Sequence, residues 1–222
     1  MRLWTGVTLV IGVALAGCTS PAVHDPQGGM PADPLPDATA TELPAGGGAP
    51  GPGAPSATPC ALIATAAQAE GPYYRTGSPQ RTSLLEADTV GSPLMLRGVV
   101  LRSNDCRPLA GGRVDLWQAD GAGRYDNLGY GLRGHQLTDA RGAFAFETVL
   151  PGVYPGRTPH IHVKVFAPDG TELLTTQIYL PGLSDRLPDA FFDSALVAQD
   201  DGPNGAGRQQ VWFTLIVRDD PR

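Results

Sequence analysis

Residues 154–162 carry the side chains in this sequence whose types and spacing could do chemistry. Within this run lie a phenol (Tyr154), a guanidinium (Arg157) and two imidazoles (His160 and His162). If Ile161 lies on a β-strand, successive side chains point to opposite faces, so both histidines project to one side and can share a metal ion. Histidines at this spacing can also pair with carboxylates or pack in a core, so the pair alone leaves its role open.

The neighbours of the histidine pair narrow the kind of metal site. Residues 154–162 contain no Asp, Glu or Cys. The run therefore indicates neither a site with two histidines and one carboxylate nor a zinc site with thiolates. A second phenol, Tyr125, ends a loop that follows the apolar segment containing Leu116 and Trp117.

Most of the second half of the chain alternates apolar and polar residues in the manner of β-strands. The predicted strands are residues 94–102, 112–118, 136–139, 143–148, 160–167, 172–179 and 210–217. Turn-forming residues at 139–142 and 168–170 predict two antiparallel hairpins.

Short strands separated by Gly and Pro predict an all-β fold, an antiparallel β-sandwich with little helix. One short helix is predicted at residues 61–69, before Gly71-Pro72. Long loops are predicted at residues 119–134 and 180–207. Because sites are commonly built from loops on a rigid sheet, we expect the chemistry to border these two loops.

The N-terminal residues indicate export. A basic Arg2 and an apolar run over residues 3–14 precede Leu15-Ala16-Gly17-Cys18. This order resembles a bacterial lipoprotein signal and predicts a signal peptide at residues 1–17, lipidation of Cys18 and a lipid anchor in the cell envelope. An ordinary secretory signal or an anchoring helix is the alternative.

The domain organisation follows from composition. Residues 18–59 are rich in Pro, Gly and Ala and cannot bury enough apolar surface to fold, so they are predicted to form a disordered tether. Residues 60–222 are long enough for one domain with a sizeable core. In an exported protein Cys60 and Cys106 favour a disulfide, with two separate buried thiols as the alternative.

Net charge excludes one class of partner. The chain has 222 residues, a formal charge of -6 at pH 7 and a pI of about 5.1, and it has no basic run. Such a chain lacks the cations that would neutralise successive phosphates, so a nucleic-acid partner is not expected. No oligomeric state is predicted.

In the residues described so far and in its further motifs, the domain resembles the intradiol ring-cleavage dioxygenases, the family of catechol and protocatechuate 3,4-dioxygenases. The resemblance covers nearly all of residues 60–222, and the order and spacing of its motifs agree. The matching segments are residues 70–74 (EGPYY), 114–119 (VDLWQA), 123–125 (GRY), 137–139 (LTD), 151–154 (PGVY), 157–162 (RTPHIH) and 176–179 (TQIY). The sequence around the histidines is most similar to that of the exported branch of the family.

The resemblance implies a set of iron ligands. Carried over by position, one non-haem Fe(III) ion per domain would be bound by Tyr125, Tyr154, His160 and His162. Two phenolate oxygens are hard anionic ligands that favour the ferric ion. Tyr154 matches the tyrosine that leaves the metal when substrate binds and takes one of its protons, while Tyr125 stays bound.

The resemblance also implies roles around the metal. Arg157 matches a guanidinium that faces the substrate ring, with a surface ion pair as the alternative. Gln177 matches a glutamine beside the iron, with a hydrogen-bonded core amide as the alternative. Tyr73 matches a residue that lines the substrate pocket, and an aromatic at this position can equally be packing.

The implied activity is cleavage of a catechol-type ring between its two hydroxylated carbons, giving a cis,cis-muconate that contains both atoms of O2. The alternatives are a lipoprotein that binds iron or a catecholate without turnover and a purely structural β-sandwich. The presence of all four ligand residues favours a functional site over the structural alternative.

Overall fold

A computed structural model describes residues 61–154, 156–183 and 188–219, all within one compact unit, Ala54–Arg222. The predicted signal peptide, Cys18, the tether and Cys60 lie outside these residues. Cys106 is disulfide-bonded, while its predicted pairing with Cys60 stays a prediction. No helix in the described part of the chain is long and apolar enough to span a membrane.

Two four-stranded sheets make up the described fold. The first has the order β4-β1-β8-β7 and the second the order β3-β2-β5-β6. The strands are β1 (Pro93–Arg102), β2 (Arg113–Gln118), β3 (Arg133–Leu137), β4 (Ala143–Val149), β5 (His160–Phe166), β6 (Glu172–Tyr179), β7 (Gln199–Pro203) and β8 (Gln209–Val217). The helical structure of the described residues is one short 3₁₀ turn, Ser194–Leu196. The predicted all-β sandwich with little helix is confirmed.

The core lies between the two sheets and follows the period-two alternation of the strands. The first sheet contributes buried side chains to the core from residues 94, 96 and 100 of β1 and from residues 211, 213 and 215 of β8. Residues 161, 163 and 165 of β5 meet them from the second, and all three are fully buried. Apolar side chains on one face of each strand therefore set the strand positions.

The sandwich is not purely antiparallel, which corrects the prediction. β1 and β8 pair in parallel from Leu94↔Gln209 to Arg102↔Val217. The whole second sheet lies between these strands in sequence, so no tight turn forces them to run in opposite directions.

One of the two predicted hairpins is confirmed and the other is wrong. The turn at residues 168–170 joins β5 and β6, which are antiparallel neighbours. The turn at residues 139–142 forms, with Gly142 N–H donating to Asp139 O, but β3 and β4 belong to different sheets. A turn sequence fixes a local reversal and not the partner that each strand then finds.

Two other predictions also differ from the structure. Residues 61–69 are extended rather than helical, because their backbone groups bond to strands: Thr65 N–H donates to Ile216 O and Gln68 N–H to Thr175 O. Strand β7 lies inside the predicted loop 180–207. It is short, exposed and acidic, so its sequence carries no alternation signal.

Residues 61–86 form a strap that wraps the second sheet. The strap starts beside the end of β8, where Thr65 N–H donates to Ile216 O, and then meets the edge of β6. It crosses the face of the sheet that points away from the core and reaches β3, where His135 N–H donates to Pro79 O. It then pairs with β4 of the first sheet, where Leu84 N–H donates to Glu147 O. The strap therefore buries the outer face of the second sheet.

Leu84 fastens the end of the strap because its side chain is fully buried in the core. We expect Leu84→Ala to lower the free energy of unfolding by about 2–5 kcal/mol, since it leaves a cavity among packed residues. Ile63→Ala, on the same strap but 92% exposed, is the control and should change it by less than about 0.5 kcal/mol. Urea unfolding of both variants measures the difference, and equal losses would contradict this account of the strap.

Candidate metal centre

The two histidines lie on the outer face of the second sheet, under the strap. His162 on β5 stands between Trp117 on β2 and Gln177 on β6, and His160 stands opposite Tyr179. The apolar residues of β5 point the other way, into the core. His160 is 4% and His162 3% exposed.

The predicted same-side projection of the histidines is seen in the structure. Their Nε2 atoms are 3.1 Å apart. His160 Nδ1–H donates to Thr158 O at 2.6 Å, which leaves a lone pair on His160 Nε2. Two nitrogens that bind one ion at roughly 2.1 Å along perpendicular bonds would lie about 3 Å apart, so the spacing suits a shared metal ion.

Burial keeps both imidazoles neutral, which is the state that binds metals. It lowers the pKa of His160 to about 4. Burial, together with nearby His160 and Arg157, lowers the pKa of His162 well below its usual value. His162 Nδ1 is buried and has no hydrogen-bond partner among the described residues. Its ring is instead oriented by Trp117, which stacks on it at 4.7 Å with an interplanar angle of 9°.

Three phenols from three separate segments cluster beside the histidines. Tyr125 comes from the β2–β3 loop, Tyr154 from the β4–β5 loop and Tyr73 from the strap. Tyr73 stacks on Tyr125 with ring centroids 4.2 Å apart, and its hydroxyl is 2.9 Å from the Tyr154 hydroxyl. The Tyr125 ring is 6.1 Å from Tyr154 and 6.3 Å from His162. All four predicted metal ligands are thus brought together, with Tyr73 among them.

Small residues allow the two tyrosine-bearing loops to touch. Gly152 N–H donates to Asp120 O across them, and Gly123 has a φ of +78°. A Cβ atom on Gly123 would lie 2.1 Å from Val153 O, and one on Gly152 would lie 2.3 Å from Gly121 O. Backbone contact at these positions holds Tyr125 and Tyr154 near each other.

Arg157 is oriented by a carboxylate that sequence reasoning missed. Arg157 Nε–H donates to Asp189 at 3.0 and 3.1 Å, and Arg157 Nη2 donates to Gln177 Oε1 at 2.6 Å. The Asp189 side chain is fully buried and that of Arg157 is 18% exposed. The alternative of a surface ion pair therefore does not describe Arg157. Asp189 lies in a loop without regular pattern, so nothing in the sequence pointed to it.

Gln177 is fixed on both sides of its amide. Its Nε2 donates to Ala69 O of the strap at 3.0 Å, while its Oε1 accepts from Arg157 and, at 3.3 Å, from Tyr179. These bonds make Gln177 a hydrogen-bonded amide on the sheet face and also the neighbour of His162.

Arg133 is a second residue that sequence reasoning missed. It is opposite Trp117 in the strand register and 2% exposed. Its guanidinium donates to Tyr73 O at 2.5 Å and to Asp126 O at 2.8 Å, so it ties the strap to the residue after Tyr125. Because residue 133 falls within the predicted loop 119–134, no strand pattern in the sequence pointed to it.

The donor set fits a hard trivalent cation. The described residues contain no group of three or more His, Cys, Asp or Glu side chains that could hold a metal. The side-chain donors that cluster beside the two imidazoles are the phenol oxygens of Tyr73, Tyr125 and Tyr154. Burial raises the pKa of Tyr125, although Arg157 and Arg133 oppose the rise. A phenol in this position ionises when a strongly charged cation binds to it.

A cavity of about 340 Å³ opens beside Tyr125, between residues 86–90, where the strap ends, and the β2–β3 loop. A larger groove of about 680 Å³ lies where strap residues 64–68 meet the start of β6 and the end of β8. That groove contains none of the predicted site residues. Of the predicted site residues, Tyr125 lines the smaller cavity.

The contact between the two loops can be tested with matched glycines. Gly123→Ala places a Cβ against Val153 O, whereas Gly207→Ala has a similar φ (+75°) and open space around it. Both variants should lose about 1–2 kcal/mol for an alanine at positive φ. We expect Gly123→Ala alone to change the near-ultraviolet circular dichroism of the stacked tyrosines. Identical spectra for the two variants would show that the loops do not depend on this contact.

Comparisons with known proteins agree with the geometry. A sequence model of a family described as Dioxygenase matches residues 69–214. A chlorocatechol 1,2-dioxygenase of Pseudomonas sp. (strain P51) is 32% identical over 51% of this chain and 54% of the relative. A hydroxyquinol 1,2-dioxygenase of Nocardioides simplex is 31% identical over 64% of this chain and 57% of the relative. The chain thus spans little more than half the length of these relatives.

A solved structure extends the match to the whole fold. The dioxygenase domain of a dioxygenase carbohydrate-binding protein fusion from Streptomyces sp. SirexAA-E is 44% identical, with a TM-score of 0.65 over 70% of this chain and 99% of that chain. Members of the matching family use a non-haem Fe(III) ion, and the phenol and imidazole donors fit that ion. The chain belongs to the intradiol ring-cleavage dioxygenase family.

Proposed function

We propose that this protein is a ring-cleaving enzyme that opens a catechol-type aromatic between its two hydroxylated carbons. The product would be a cis,cis-muconate containing both atoms of O2. One observation carries the proposal: two phenols and two neutral imidazoles, from three different segments, converge on the outer face of the second sheet with the histidine Nε2 atoms 3.1 Å apart.

Tyr125, Tyr154, His160 and His162 would hold one Fe(III) ion. When bound, the ion supplies Lewis acidity that favours the deprotonated catechol and draws electron density from its ring. The protein supplies the rest: it fixes the ligands, keeps the imidazoles neutral and covers the site with the strap.

Tyr154 is suited to take a proton from a catechol hydroxyl. Its oxygen is 2.9 Å from the Tyr73 hydroxyl. As a phenolate Tyr154 accepts a hydrogen bond from Tyr73, and as a phenol it can donate one, so it has a partner in both protonation states. The hydrogen bond to Tyr154 and burial raise the pKa of Tyr73.

Arg157 and Gln177 would orient and stabilise the ring. Arg157 lies close enough to His160, His162 and Tyr125 for its charge to affect the pKa of all three. A fixed cation beside the ring stabilises negative charge that develops during oxygen attack, without reorganising at that moment.

The substrate class is an aromatic ring with two adjacent hydroxyl groups. The two relatives described above are named for a chlorocatechol and for hydroxyquinol. The cavity beside Tyr125 lies in the size range of small-molecule sites.

The cellular setting that we propose is the bacterial envelope, with the chain anchored by lipid at Cys18. The sequence Leu15-Ala16-Gly17-Cys18 supports this setting. A disulfide-bonded Cys106 also supports it, because structural disulfides persist in oxidising compartments.

Oxygen uptake by the purified full chain loaded with Fe(III) tests the activity. The protein should be coloured by charge transfer from tyrosinate to iron, and the colour should change when catechol is added without oxygen. Admitting ¹⁸O2 should give a muconate with two labelled atoms. A coloured catechol complex that persists in air, across catechol, chlorocatechol, protocatechuate and hydroxyquinol, would identify a binding protein and refute the proposed turnover.

His162→Ala should lose bound iron and colour together, because it removes a donor that no other described side chain replaces. His135→Gln is the control: His135 lies on the same sheet face but bonds to Ser78 and is not part of the cluster. Iron per chain after ferric loading and desalting, with circular dichroism to check folding, measures the effect. Full iron stoichiometry in a folded His162→Ala protein would refute the ligand assignment.

A further inference from the structure

Arg157 is held by contacts outside its own segment. It lies in the β4–β5 loop, beside Gly156 with a φ of +75°. Its backbone N–H bonds back to Tyr154 O at 3.0 Å, which forms a turn that carries both residues. A long side chain on such a loop has several rotamers of similar energy, so its direction depends on the groups that its guanidinium meets.

Asp189 is the one carboxylate that pairs with Arg157 among the described residues. Its two oxygens accept from Arg157 Nε, from Thr158 N–H at 2.9 Å and from Phe191 N–H at 2.9 Å. Burial opposes ionisation, but these donors outweigh it, and the pKa of Asp189 is lowered. The side chain is therefore a buried carboxylate with every oxygen satisfied, fixed to the backbone on two sides.

The same carboxylate reaches a predicted iron ligand through one residue. Asp189 binds the N–H of Thr158, and Thr158 O accepts from His160 Nδ1 at 2.6 Å. That bond decides which nitrogen of His160 carries the lone pair.

Two partners hold different nitrogens of the Arg157 guanidinium. Its Nε is used by Asp189 and its Nη2 by Gln177, and its carbon lies 4.8 Å from the centre of the Phe191 ring. Nη1 is bound by neither of these two partners, and the Tyr179 hydroxyl also lies within hydrogen-bond reach of the guanidinium. These contacts restrict the rotation of the guanidinium.

We propose that Asp189 is a positioning residue that locks the orientation of the Arg157 guanidinium beside His160, His162 and Tyr125. The proposal rests on the proposed function for what Arg157 does. It assigns to Asp189 no contact with substrate or metal.

Asp189→Asn is the informative variant, because it keeps the shape but puts an NH2 group where a donor now points. Asp193→Asn is the matched control: Asp193 lies in the same segment and its side chain accepts from Ala195 N–H, away from Arg157. Arg157→Leu and the double variant Asp189→Asn/Arg157→Leu complete a mutant cycle.

The first measurement uses metal-free full-length protein. The Arg157 Nε–H resonance, identified by its loss in Arg157→Leu, should be sharp and slow to exchange with solvent in the native chain and in Asp193→Asn. In Asp189→Asn it should broaden or exchange at least about tenfold faster. An unchanged resonance in Asp189→Asn would overturn the proposal.

The second measurement is turnover per bound iron with catechol. We expect kcat for Asp189→Asn to fall roughly ten- to a hundredfold with iron content retained, as for a catalytic group displaced by about 1 Å. The double variant should match Arg157→Leu within about twofold, because Asp189 acts through Arg157. Losses that multiply in the double variant would refute the coupling.

The two proposals fail in different ways. If native protein binds iron but consumes no oxygen with any catechol, the proposed function fails, and the Arg157 resonance still decides whether Asp189 holds the guanidinium. If native protein turns over and Asp189→Asn does so equally well with an unchanged resonance, the role of Asp189 is refuted and the enzyme stands.

Discussion

Strand β5 is buried on both of its faces, and the two faces are chemically opposite. Ile161, Val163 and Val165 point into the sandwich, whereas His160 and His162 point outward. An outward face of this kind would normally be solvated, and histidines there would titrate near neutral pH. Here the strap covers the face, so burial keeps the imidazoles neutral and brings Tyr73 down onto Tyr125. The burial of the predicted metal ligands thus depends on a segment that precedes every strand of the domain.

Burying a polar sheet face under the strap costs desolvation free energy, and nearby ion pairs and hydrogen bonds offset that cost. Lys164 continues the outward row of β5 and is 5% exposed, yet its ammonium pairs with Glu70 of the strap and Glu172 of β6, each at 2.8 Å. Asp115, opposite Lys164 on β2, accepts from Ser78 of the strap. A buried charge without such partners would cost several kcal/mol. These ion pairs and hydrogen bonds connect the strap to the sheet beside the predicted metal site. They allow polar side chains to lie buried beneath the strap.

The sequence was informative where a residue's neighbours in the chain decide its structure. Alternation located β5 and β6 and the common side of the histidines, and the hairpin between them followed from a turn. The sequence was misleading where tertiary contacts determine the structure of a segment. The helix expected at residues 61–69 gives way to edge pairing with β6, and the turn at residues 139–142 joins strands of different sheets. Asp189 and Arg133 could not be found this way, because their roles come from partners more than 30 residues away, as Asp189 with Arg157, or from burial that composition does not reveal.

The course of the strap also bears on how the protein stays dispersed. A two-sheet sandwich has four edge strands, here β3, β4, β6 and β7, and each open edge is a template for pairing with another copy. Strap residues bond to three of them: Gln68 to β6, Pro79 to β3 and Leu84 to β4. The fourth, β7, is short and acidic, ends in Pro203 and carries an irregularity between Asp200 and Gly202. The segment that completes the metal site therefore also protects the fold from edge-to-edge aggregation.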